Sequence, residues 1–108
     1  GHDWVIIRLG RPGTLKKIEV DTNHFKGNYP DTCSLDGCLA PGQAVDALTW
    51  PDFTWKEILP RQKLQAHTQH YFEPELREAG PVSHVRLNIF PDGGVSRLRL
   101  FGLLSSAI

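Results

Sequence analysis

The chain has 108 residues, enough for one domain; 40% of them are hydrophobic and 22% charged, a globular composition that excludes a disordered polypeptide. Twelve basic residues balance twelve acidic ones, so no global field draws the domain toward nucleic acid or an anionic membrane, and neither is an expected partner. No apolar run approaches the roughly 20 residues that a membrane helix needs.

The chain opens Gly1-His2-Asp3-Trp4 without a secretory signal and contains no Met. It reads as a segment of a longer protein. Trp4 to Leu9 is a short β-branched run that ends at Gly10-Arg-Pro-Gly13, which predicts a strand and then a turn. Residues Leu15 to Thr22 alternate, with Ile18, Val20 and Thr22 on one face and Lys17, Glu19 and Asp21 on the other. Period two predicts a half-buried strand. His24 to Asp31 is rich in Gly, Asn, Pro and Asp and reads as a loop. Thr32 to Leu39 predicts another strand, weakened by Gly37. From Ala40 to Pro60 several prolines interrupt the chain, and Trp50, Phe53 and Trp55 are expected to pin this connection to the core. Brief strands are expected at Trp55 to Leu59 and within Lys63 to Phe72, and Glu73 to Ala79 as a loop or single helical turn.

Ser83 to Phe90 and Val95 to Gly102 both alternate, and Pro91-Asp92-Gly93-Gly94 lies between them. A hairpin is the expectation, with Arg86 opposite Arg99, Asn88 opposite Arg97, and Leu87 meeting Leu98 on the other face. Many short strands with Gly/Pro turns predict an all-β sandwich or jelly roll. Cys33 and Cys38 would point to opposite faces of one strand and lack a CxxC pattern, so free thiols in a reducing compartment, the cytoplasm, are expected. The end of the chain, Ser105-Ser106-Ala107-Ile108, is not a peroxisomal tripeptide.

Paired arginines facing one another require something negative between them. An anionic ligand clamped by guanidinium forks is one resolution; an acidic side chain such as Glu19 or Asp21, or plain solvation, is the other. The loop after Asp21 gathers His24, Lys26 and Asn28. His24 has the chemistry of a general acid or base, while a polar turn built on Gly27 and Asn28 explains the same residues. His67 and His70 would diverge on a strand, so no shared metal site is expected. His84 either joins the Arg86 and Asn88 row or caps its strand.

Two runs then resemble a known family. Glu19-Val-Asp-Thr-Asn-His-Phe-Lys-Gly-Asn-Tyr-Pro30 is similar to the allantoicase motif VDTxxFxGNxP. His84 to Gly102 resembles its second hallmark, HxRxNxxPDGGxxRxRxxG. The resemblance implies a jelly roll of the galactose-binding type that lacks its first strand or strands. It implies one repeat, the second, of a two-repeat protein, spanning 1–108 as a single domain. It implies hydrolysis of allantoate to ureidoglycolate and urea in purine degradation, a hydrolase of C–N bonds in linear amidines. From the residues themselves no cofactor and no metal ligand set is expected. Family members occur as peroxisomal as well as cytoplasmic proteins. The substrate allantoate and a companion repeat become expected partners, and the resemblance leaves room for a homo-oligomer. In that chemistry His24 and Asp21 would handle protons, Arg86, Arg97 or Arg99 would clamp the carboxylate, and Asn28 and Asn88 would bind ureido groups. A non-catalytic galactose-binding-like ligand or protein module, or an inactive remnant of the enzyme, is the alternative. A sugar-binding module would need an exposed aromatic platform, for which Tyr29, Trp50 and Trp55 are the candidates.

Overall fold

The computed structural model describes residues 1–46 and 53–105; the expectation for Trp50 falls outside them. The described residues form six strands: β1 (Asp3–Asp21), β2 (Thr32–Cys38), β3 (Lys56–Lys63), β4 (Gln69–Phe72), β5 (Val82–Phe90) and β6 (Arg97–Leu104). They run in the order β3-β2-β5-β1-β4, with β6 also paired to β1, and every pairing is antiparallel. The domain is all-β, as the alternation required.

The expected turn at Gly10–Gly13 does not form. Instead β1 is one 19-residue strand whose pairing slips between Arg8 and Gly13. Its first part, Asp3 to Arg8, pairs with β5, and its last part, from Gly13, pairs with β6 and β4. Glycine and proline here redirect the strand from one layer to the other rather than reversing it.

The expected hairpin is also overturned. No β5–β6 pairing exists among the described residues, because each of the two strands pairs with a different stretch of β1. Arg86 lies opposite Ile6 on β1 and Asp36 on β2, whereas Arg99 lies opposite Glu19. Alternation within each strand is as expected: Val85 and Leu87 enter the core, and Leu98 and Leu100 pack against it.

The core lies between two layers, the first made of β3, β2, β5 and the first part of β1, the second of β4, β6 and the last part of β1. Ile18, Val20, Cys33, Leu35, Leu59 and Val85 are fully buried in it. Gly37 sits in β2 because a Cβ there would come within 2.6 Å of Ile58 and 2.8 Å of Val82. Pro60 is accommodated because β3 is an edge strand. A second cluster of Ile6, Cys38 and Ala40 forms on the opposite face of the first layer, and Phe53 and Trp55 pin the long connection to it. Both cysteines are free and buried. The outer face of the last part of β1 departs from the half-buried expectation, because Glu19 and Asp21 are buried there as well.

One free edge lies within the first part of β1. Residues Asp3 to Arg8 have a strand partner on one side only, among the described residues. Beside that free edge lies a groove of about 370 Å³, floored by Val5, Ile7, Leu87 and Ile89.

Candidate functional site

The loop after β1 is built by short-range hydrogen bonds. The Asp21 carboxylate accepts the Asn23 amide at 2.7 Å, and Phe25 N–H donates to the Thr22 carbonyl at 3.0 Å. Within this turn His24 stands at φ +76°, a conformation that His adopts more readily than most side chains. Thr22 is fully buried and ties the loop to residues 65–68: its hydroxyl donates to the Gln65 carbonyl (2.7 Å) and accepts the Thr68 amide (3.0 Å). His24 N–H donates to His67 Nδ1 at 2.8 Å, and His67 N–H donates to the Phe25 carbonyl at 3.1 Å.

The segment between β5 and β6 closes over the other side of this loop. Gly94 N–H donates to the Asn28 carbonyl (2.8 Å), and Ser96 donates to the Asp21 carbonyl through both its amide (2.8 Å) and its hydroxyl (3.0 Å). The two glycines serve this contact. A Cβ on Gly94 would overlap the Phe25 ring, and one on Gly93, at φ +129°, would meet the Tyr29 and Pro30 backbone at 2.6–2.7 Å. The two sequence motifs therefore fold into one structure. His24 and Asn28 are exposed on it, and Arg97 begins β6 beside it, opposite Asp21 in the register.

The predicted site residues do not share one surface. Arg86 donates from Nε (3.3 Å) and Nη2 (3.0 Å) to Asp36 Oδ2, which also accepts Asn88 Nδ2 at 2.9 Å. Trp55 stacks on the guanidinium at 4.7 Å. Arg86 and Asn88 thus serve a carboxylate of β2 on the outer face of the first layer, and Arg86 does not face Arg99. Arg99 reaches the buried Glu19 at 3.7 Å on the outer face of the second layer. Each of the two arginines has an acidic neighbour. Asp21, held by its turn and buried, is placed to shape the loop.

The remaining histidines are tied down. His70 Nδ1 donates to the Val20 carbonyl (2.9 Å) and Nε2 accepts the Gln65 amide (2.8 Å). His84 is fully buried, between Ser83 Oγ (2.9 Å from Nδ1) and the Gln43 carbonyl (3.2 Å from Nε2). Burial holds its pKa below the usual histidine value, and the nearby Arg8 charge adds to that effect. Among the described residues no three His, Cys, Asp or Glu side chains converge as a metal site. Trp55 and Tyr29 are both half-buried, which makes them poor sugar platforms. Sequence reading did not single out Asp36 and weighed His67 only as a metal ligand. Asp36 had only its place in an alternating strand as a signal, and His67 gains its contact across 43 residues of sequence.

A two-layer antiparallel sandwich with a loop-borne polar cluster at one end defines a jelly-roll repeat of the galactose-binding-like class. The family model "Allantoicase repeat" matches residues 1–105. The chain belongs to the allantoicase family. It is 52% identical over 105 residues to the probable allantoicase of Pseudomonas fluorescens strain SBW25, covering 97% of this chain and 32% of that protein. The crystal structure of allantoicase from Saccharomyces cerevisiae aligns with a TM-score of 0.76 at 39% identity, over 94% of this chain and 27% of that one. An F5/8 type C domain from Bacteroides fragilis shares the fold alone, with a TM-score of 0.67 at 18% identity over 97% of this chain and 68% of that one. The chain spans about a third of the length of the curated relatives it matches.

Proposed function

We propose that this chain is one repeat of an allantoicase, working with a companion repeat in the same polypeptide to hydrolyse allantoate to ureidoglycolate and urea. The observation that carries this reading is the docking of the 21–28 loop onto the 91–96 segment, which gathers His24, Asn28 and Arg97 at one end of the sandwich. Allantoate is a small anion with a carboxylate and two ureido groups on one carbon. In its hydrolysis water oxygen bonds to that carbon, one C–N bond breaks, and the departing nitrogen takes up a proton. His24 supplies the proton-handling group. Arg97, for which no acidic partner is found among the described residues, is the carboxylate clamp. Asn28 offers an amide to a ureido group. Asp21 positions the loop.

The test is urea release by the full-length polypeptide. Arg97→Ala and Asn28→Ala are expected to raise KM about tenfold or more, consistent with loss of a charge-assisted or amide contact. Unchanged KM in both variants would remove the loop end as the substrate site. Binding of a glycan with no urea release by the wild-type protein would favour the non-catalytic module.

A further inference from the structure

The two histidines of the loop end form a pair that neither family motif contains as such. His67 lies outside both runs, yet its Nδ1 accepts the His24 amide at 2.8 Å, and the two rings meet edge to face at 5.7 Å between centroids. Both residues have positive φ, +76° at His24 and +48° at His67. Non-glycine residues stay in that region only where their surroundings hold them, and such strain collects at functional sites. The surroundings here are specific. His67 N–H returns a hydrogen bond to the Phe25 carbonyl, and Thr22 binds the neighbouring Gln65 and Thr68. A backbone N–H can only donate, so His67 Nδ1 must accept and the ring proton of its neutral form sits on Nε2.

We infer that His67 is a positioning residue for His24: its Nδ1 fixes the left-handed backbone that presents the His24 imidazole to the substrate. This rests on the reading of His24 as the proton-handling group. A relaxed loop would return His24 to negative φ and swing its ring away from the reacting atoms, and small misplacements of a catalytic group are costly in turnover.

The test uses the full-length polypeptide and three substitutions at position 67. Asn places Oδ1 where Nδ1 stands and tolerates positive φ. Gln carries its acceptor one carbon further out, and Ala carries none. His67→Asn is expected to keep kcat within a few-fold of wild type. His67→Ala and His67→Gln are expected to lose about tenfold or more in kcat with little change in KM or melting temperature. Equal losses in the Asn and Ala variants would overturn the inference, as would a wild-type kcat in His67→Ala. Amide hydrogen exchange separates this from the functional reading. The His24 amide is expected to exchange faster in His67→Ala and to stay protected in His67→Asn; unchanged protection in His67→Ala overturns the positioning role whatever the activity. If His24→Ala releases urea at the wild-type rate while the exchange pattern holds, the proton-handling reading of His24 fails and the positioning geometry stands.

Discussion

Single side chains in this domain answer to burial before charge. Cys33 is sealed in the core, and burial raises its thiol pKa to about 12. A raised pKa leaves the thiol protonated in the folded state near neutrality, so its stabilising effect is complete below the ordinary value of 9.0 and is lost as pH rises toward 12. The folded protein should therefore resist alkylation at pH 8, with both cysteines labelling only after denaturation; rapid labelling of Cys33 in native buffer would contradict its placement. His84 has the opposite sign. Its depressed pKa means that the unfolded chain takes up a proton first as pH falls below 6.5, so stability present above that value declines on acidification. The urea midpoint should drop between pH 7 and pH 5, and His84→Gln should flatten that slope. Arg86→Ala should cost about 1–3 kcal/mol in urea denaturation, because it strands a mostly buried carboxylate that now accepts two of its bonds. Arg86 was legible from sequence as a residue needing an anion. Its partner was not, because Asp36 meets it across 50 positions of sequence.

At the scale of elements, period two revealed the strands but not their partners. Each strand's inward face follows from its own alternation, as Val85 and Leu87 show. Pairing is decided elsewhere. A strand followed closely by another usually pairs with it, yet here β1 is long enough to serve β5 with one end and β6 with the other. The Pro-Asp-Gly-Gly segment suggested a turn by its composition, while its glycines in fact admit Phe25 and Pro30 from the first motif. This contact makes a prediction. Gly94→Ala should cost about 1–3 kcal/mol by overpacking against the Phe25 ring. Combined with Phe25→Ala it should show favourable coupling of ~1 kcal/mol, because the obstacle has been removed. Gly93→Ala meets backbone and positive φ instead, so the same Phe25 change should not rescue it. Equal rescue at both positions would mean that the ring does not lie against Gly94.

Over the whole molecule, two outer faces and one loop end divide the polar residues that sequence had grouped together. The first layer uses Arg86 and Asn88 around Asp36, the second sets Arg99 on Glu19, and the loop end offers His24, Asn28 and Arg97. The all-β class and the two motifs were readable because both are local in sequence. Their division among faces was not, because it depends on how β1 crosses between layers. The same crossing leaves Asp3 to Arg8 with one free side among the described residues. In the 108-residue chain alternate amides of that stretch should therefore exchange quickly with solvent while their neighbours, bonded to β5, stay protected; uniform protection would show the edge to be covered. The division of roles is tested most directly by measuring urea release and melting temperature together for His24→Ala and Arg86→Ala in the full-length polypeptide. The account predicts that His24→Ala lowers turnover by about a hundredfold at an unchanged melting temperature, whereas Arg86→Ala lowers the melting temperature by several degrees and leaves turnover, below that temperature, near wild type. Loss of turnover in a thermally unaltered Arg86→Ala, beside a fully active His24→Ala, would contradict it.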